Sequence, residues 1–287
     1  PTRGQAWPWQ AVDSFRLQPP MPRLLPALSL TLLLAACAHA PSPTPRVLLL
    51  GEVHDSAAGH AARALLLRKE VEAGWRPAIA MEQFDTGQQP LLDAAMRDCT
   101  TADCVVDKVV TGKSGWTWAY YKPVIALALE YKLPLLAANL SRADASKVVK
   151  DGFAASLPSD VIARYALDAP PAEVLDPQET EVRDSHCGAL PEAMVAPMAK
   201  AQIARDVVMA ELLRTHADAG IVLIAGNGHV RGDIGVPFWL HRQGSAAHAV
   251  GFLEPASNGA GFDEVHRIPA ATREDPCAGF QAPKPAG

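Results

Sequence analysis

Five short apolar runs, "RVLLLG", "PAIAMEQ", "LPLLAAN", "GIVLIAGNGH" and "AHAVGFLE", constrain the fold of this chain more than any other feature. None alternates cleanly between apolar and polar residues. A strand with one face in water alternates; a strand covered on both faces does not, because each side chain meets an apolar neighbour whichever way it points. The runs therefore predict parallel strands, and parallel strands need crossovers long enough to hold helices. Helical patterns occupy the gaps, over residues 57–73, 89–99, 119–131, 142–155 and 191–216. The alternation predicts an α/β fold, a mostly parallel central sheet with helices on both faces. Around residues 141–190 Pro, Asp and Glu crowd together and the periodicity weakens, which predicts a helical insertion.

The first part of the chain follows a different logic. Met21 and Arg23 precede an apolar run that closes on Leu34-Ala-Ala-Cys37. The run is too short to cross a hydrocarbon layer about 30 Å thick, and it ends on small residues that a peptidase accepts. Residues 21–36 are therefore expected to be a lipoprotein signal peptide, with residues 1–20 an upstream mis-start and Cys37 the lipidated residue. The prolines of "AHAPSPTP" cannot continue a helix, so residues 37–45 are expected to form an extended tether. A single domain is then expected over residues 46–287. Ala38, where Asp would mark retention in the inner membrane, places the expected location at the periplasmic face of an outer membrane.

Four further cysteines, Cys99, Cys104, Cys187 and Cys277, are an even count for a compartment where disulfides persist. The expected pairs are Cys99 with Cys104 and Cys187 with Cys277. A thiolate zinc site is the alternative, but no CxxC is present. The net charge of -5, without a long basic run, argues against a nucleic-acid partner.

Two of the strands end alike, in Gly51-x-x-His54 and Gly226-x-x-His229. Ligand sites in open α/β sheets lie beyond the carboxyl ends of the strands, and glycine there permits a sharp turn or a close approach. Glu52 sits inside the first motif and Glu82 closes "AIAMEQ". Two imidazoles and two carboxylates have the composition of a divalent-metal site or an acid/base site, so Glu52, His54, Glu82 and His229 are the candidate metal ligands or catalytic residues. Asp55 is expected to cap the helix that follows, and His60 stands near that helix's start. In "GWTWAYYKP", Trp116, Tyr120 and Tyr121 are candidates to meet a flat ligand or a haem edge, for which a phenolate is a known type of ligand. Arg142 and Arg231 are candidates to pair with propionates or with the site's own carboxylates.

"GEVHD", "EQF", "WTWAYYKP", "LAANLSR" and "GNGHVRGDIGVP", in that order, resemble the ChaN-like haem-binding lipoproteins of the Tiki, TraB and erythromycin-esterase superfamily. The resemblance runs from Arg46 to Leu253. It implies haem as cofactor, a role in haem and iron uptake, a homodimer holding two haems face to face, and an outer-membrane receptor as a further partner. It implies a Tyr ligand to iron, with Tyr121 at the matching position, and His54, His229, Tyr120, Trp116 and Arg231 around the haem. The superfamily's other branches imply an alternative, a periplasmic hydrolase, metal-dependent or metal-free, acting through Glu52, His54, Glu82 and His229.

Overall fold

The apolar runs do become strands, and each is too short and too evenly buried to face water on either side. The computed structural model describes residues 47–275, 277 and 278. The expected signal peptide, Cys37 and the tether lie outside them. In chain order the elements are β1 (Val47–Leu50), α1 (Ala57–Glu72), β2 (Ala78–Asp85), α2 (Gln89–Asp98), α3 (Ala102–Val109), α4 (Lys122–Tyr131), β3 (Leu135–Asn139), α5 (Arg142–Asp151), α6 (Ser159–Arg164), α7 (Ala172–Ser185), α8 (Glu192–His216), β4 (Ile221–Ile224), α9 (Asn227–Val230), α10 (Val236–Arg242), β5 (His248–Leu253) and β6 (Glu264–Arg267). Among the described residues the strands form one six-stranded sheet in the order β3-β2-β4-β1-β5-β6, and every pair is parallel.

Successive side chains of a strand point to opposite faces, and here each face has its own helices. Val47, Leu49, Ala78, Ala80, Ile221 and Leu223 pack on one side against α5, α6, α8 and α10. Leu48, Leu50, Ile79, Met81, Val222 and Ile224 pack on the other against α1 to α4. Each fully buried aliphatic side chain contributes about 1.5–3 kcal/mol. The absence of alternation in the sequence is thus the record of two cores sharing one sheet.

The sheet's edges differ from its centre. The outer edge of β3 is closed by a side chain: Gln89 donates to the Leu135 carbonyl at 3.1 Å and accepts from the Ala137 amide at 2.7 Å. The other edge, β6, is the strand the apolar runs do not announce. Its sequence, Glu-Val-His-Arg, carries charge because an edge strand has only one covered neighbour.

Several boundaries depart from the expectations. The helix expected from residue 119 starts at Lys122, because Trp118–Tyr120 form a 3-10 turn and Pro123 sits at the start of α4. The helix expected to reach residue 155 stops at Asp151, where Gly152 takes φ 83°. The weakly periodic stretch holds α6 and α7, with Pro177 inside α7. α3 is additional, eight residues beginning within the loop closed by the Cys99–Cys104 disulfide. Cys187 pairs with Cys277 as expected. Among the described residues, no helix is long and apolar enough to cross a membrane.

Candidate functional site

The strand order reverses direction at β1: the chain runs out through β2 to β3, then returns to place β4 between β2 and β1 and β5 on β1's other side. Such a reversal leaves a crevice at the carboxyl ends of the strands. β1 delivers Glu52 and His54 to it, β2 delivers Glu82, and β4 delivers Gly226 and His229. The sequence places these residues on three separate strands; the fold puts those strands side by side.

Asn227 ties the crevice together. Its amide donates to the Phe252 carbonyl at 2.8 Å, and its backbone N–H donates to the Glu52 carbonyl at 3.0 Å. Gly51 must lack a side chain here, since a Cβ would stand 2.1 Å from Asn227 Oδ1.

Two carboxylate clusters result. In the first, Glu52 is buried and its Oε1 accepts from Tyr121 Oη at 2.5 Å and from His54 Nδ1 at 2.8 Å. Its Oε2 forms an ion pair with Arg63, which is wholly buried. Arg63 also donates to His60 Nδ1 at 2.9 Å, so the His60 Nε2–H is the group that donates to the His54 carbonyl at 3.1 Å. Burial lowers the His60 pKa, consistent with a neutral ring. Burial also pulls the Arg63 guanidinium down to about 10, against the pull of Tyr121 and Glu82. The Tyr121 phenol is pushed up by burial, against the neighbouring Arg63.

In the second cluster His229 lies between two carboxylates. It donates from Nδ1 to Asp206 Oδ1 at 2.6 Å, and its Nε2 is 3.5 Å from Glu82 Oε1. Burial opposes a charged ring, but Asp206 and Glu82 override it and raise His229 to about 10. Burial likewise works to raise Glu82, yet the His229 charge, its hydrogen bond, His54 and the Gly226 N–H at 2.8 Å hold it at about 2. For Asp206 burial wins over the imidazolium, and its pKa rises to about 6.

His54 stands between the clusters. Its side chain is 53% exposed, its Nδ1–H is held by Glu52, and its ring meets the edge of Trp116 at 5.1 Å. In the neutral ring, Nε2 is therefore the atom left to accept or ligate. The ring lies so close to Gly226 that a Cβ there would meet its Cε1 at 2.9 Å and its Nε2 at 3.1 Å. Gly226→Ala should swing the ring off Glu52 at a cost of about 1 kcal/mol. A lowered melting temperature together with changed NMR shifts of the His54 ring nitrogens checks it; an unaltered ring signal contradicts it.

The metal alternative gains no support from the geometry. Among the described residues, no three His, Cys, Asp or Glu side chains converge on a common metal position. The reason is visible in the partners: Glu52 is taken by Arg63 and Tyr121, Glu82 by the Gly226 amide and the His229 imidazolium. An imidazolium has no lone pair to offer a cation. The Asp55 expectation is corrected. Ser56 caps α1, accepting from Gly59 N at 3.1 Å, while Asp55 pairs with Arg273 at 2.7 and 2.8 Å.

The other candidates are spread around the crevice. Glu52, His54, His229, Gly226 and Arg231 line a cleft of about 740 Å³. Arg231 is held by Asp233 at 2.6 Å and Glu181 at 2.8 Å rather than by Glu52 or Glu82. Tyr121 is sealed beneath the cleft. Tyr120 is partly exposed and stacks on His60 with ring centres 4.7 Å apart. Trp116 faces a neighbouring cleft that Asn139 and Arg142 also line.

Two residues central to the clusters, Arg63 and Asp206, escape the motif reading because neither lies at a strand end. Each nonetheless carries a signal. Arg63 falls in the buried stripe Gly59, His60, Arg63, Leu67, Val71 of α1, and Asp206 in the stripe Ala199, Ile203, Asp206, Ala210, Leu213 of α8. A charge on a core-facing stripe requires a buried partner.

The family described as "Haem-binding uptake, Tiki superfamily, ChaN" matches residues 42–240. Among solved structures, the one titled for cofacial heme binding to ChaN of Campylobacter jejuni has 20% sequence identity and a TM-score of 0.62, covering 76% of this chain and 86% of that one. An erythromycin esterase in its open conformation has 16% identity and a TM-score of 0.44, covering 73% and 70% of the two chains. A type III effector has 8% identity and a TM-score of 0.43, covering 79% and 88%. No curated protein sequence matches.

Proposed function

The chain belongs to the ChaN family of haem-binding uptake proteins in the Tiki superfamily, and from that premise we propose that the crevice beyond β1, β2 and β4 takes haem in the course of iron uptake. The observation that carries the reading is His54. It is half in solvent at the lip of the cleft, its Nδ1–H is fixed by the buried Glu52, and its Nε2 has no partner among the described residues. A carboxylate behind an imidazole fixes the ring's orientation and raises its basicity toward a metal.

The residues fit the group. His54 would hold the iron, and Val53, Leu253 and Phe262 supply apolar lining in the same cleft. Arg231 offers a cation for a propionate, in competition with Asp233 and Glu181. Tyr120 is the phenol nearer the surface; Tyr121 would need to give up Glu52 before it could ligate. The haem itself supplies the redox and ligand-exchange chemistry, and the chain binds and orients it.

Three finer elements belong to the same proposal. Cys37 is the lipid attachment point, with the domain at the periplasmic face of an outer membrane. A second copy of the chain is the partner that would close the open cleft, an arrangement in keeping with the cofacial haem named for the Campylobacter jejuni protein. An outer-membrane receptor is the expected source of the haem.

A hemin titration of the full chain tests the reading. We expect a saturable Soret band, and His54→Ala to weaken binding at least tenfold, about 1.4 kcal/mol. A hemin spectrum that the protein leaves unchanged sinks the proposal. Ester or peptide turnover dependent on His229, in a chain that ignores hemin, would establish the hydrolase instead. Sedimentation with and without hemin reports the second copy, and incorporation of labelled palmitate that Cys37→Ala abolishes reports the anchor.

A further inference from the structure

We propose that the cleft beyond the carboxyl ends of β2 and β3 binds a small carboxylic acid bearing an α-hydroxyl or α-ammonium group and an apolar side chain, at a site separate from the haem cleft. The two clefts flank the contact between His54 and Trp116: His54 lines one and Trp116 the other. The second encloses about 580 Å³, within the range of small-molecule sites.

Its lining holds three cations, Lys113, Arg142 and Arg205, against one carboxylate, Asp85. Arg142, the first residue of α5, accepts from the Ser146 hydroxyl through its backbone carbonyl, but its guanidinium has no hydrogen-bond or ion-pair partner among the described residues. Arg205 stands beside it, fixed through Nη1 to Asn139 Oδ1 at 2.7 Å and the Leu140 carbonyl at 3.1 Å. Its Nε and Nη2 have no hydrogen-bond partner among the described residues, although Asp85 lies near enough to feel its charge. A guanidinium so anchored is rigid, and its remaining N–H groups suit a carboxylate.

The second observation is Gln83. Its side chain is buried in the cleft's lining, its Nε2 is 3.5 Å from Glu52 Oε1, and its Oε1 has no donor among the described residues. Buried acceptors without a donor are rare and costly. A ligand hydroxyl or ammonium would supply that donor, and Asp85, on the same wall, adds an acceptor. Trp116 and Trp118 form an indole wall for the rest of the molecule. An anion for the arginines, a donor for Gln83 and an apolar body for the indoles define the ligand class.

Tryptophan fluorescence of the haem-free full chain reads the site directly. Three probes separate the elements: L-phenylalanine has the ammonium, L-3-phenyllactate the hydroxyl, and 3-phenylpropionate neither. Saturable quenching by one or both of the first two is expected, with 3-phenylpropionate at least tenfold weaker. Which of the two binds identifies the donor. Arg142 is exposed, so Arg142→Ala should keep the fold by circular dichroism, weaken the acid at least tenfold and leave hemin titration unaltered. No saturable quenching, equal binding of all three probes, or undiminished binding by Arg142→Ala overturns the proposal. Loss of hemin binding in Arg142→Ala also overturns it, because the cleft would then belong to haem. A chain that ignores hemin but binds the acid separates failure of the haem reading from failure of this one.

Discussion

Replacing Arg63 with Met should destabilise the protein by about 3–5 kcal/mol, the cost of leaving a buried carboxylate without its cation. Glu52 is 3% exposed and Arg63 wholly buried, so water cannot replace the guanidinium. The lost group also serves His60, whose Nδ1 would lose its donor. The double substitution Arg63→Met with Glu52→Gln should recover much of the loss, because it removes the stranded charge as well as its partner. Urea unfolding of the parent, both single variants and the double variant gives the comparison. If Arg63→Met alone costs under about 1 kcal/mol, the pair does not hold the site together.

The second large effect concerns the buried trio of Glu82, His229 and Asp206, and it depends on pH. His229 has a folded pKa raised above its ordinary 6.5 to about 10. The folded state therefore keeps a proton that the unfolded chain releases. Its contribution is complete below pH 6.5 and is lost progressively up to pH 10. Glu82, lowered from 4.5 to about 2, contributes above pH 4.5 and loses that contribution as pH falls toward 2. Asp206 has the opposite sign: raised from 3.8 to about 6, it subtracts stability as pH rises through that window.

The trio is thus most favourable near pH 4.5 and weakens on the alkaline side, with a slope of at most about 1.4 kcal/mol per pH unit from His229. Asp206→Asn keeps the shape but removes the charge that holds the imidazolium. It should cost about 3 kcal/mol at pH 7. The gap from the parent should narrow at pH 10, where the parent has lost the same interaction. Parallel unfolding curves at the two pH values decide the matter, and a gap that stays constant refutes the assignment of His229 as the titrating group.

How much of this was legible in the sequence follows from what each residue answers to. The strands were legible because burial on both faces erases polar alternation, a property each run of four to eight residues carries on its own. The pairing of Gly51-x-x-His54 with Gly226-x-x-His229 was legible as a repeat, and Glu82 as the close of a strand. β6 and α3 were not: β6 owes its strand to β5 alongside it, and α3 is a short helix beginning within a disulfide loop. Tyr121 was legible as a functional candidate. Its commitment to Glu52, 69 residues earlier, was not, since nothing local records a contact made across the fold.

The sequence by itself determined that this chain makes a parallel sheet and that imidazoles and carboxylates gather at the ends of its strands, because both are local consequences of where apolar residues stop. The tertiary structure alone decided what those groups are. By placing Arg63 behind Glu52 and Asp206 behind His229, it turned four similar-looking candidates into a buried ion pair, an imidazolium between two carboxylates, and one exposed imidazole. Which charges meet in the interior, and so which groups remain free to bind, is fixed by the packing of α1 and α8 against opposite faces of the sheet, and that arrangement has no signature within any single motif.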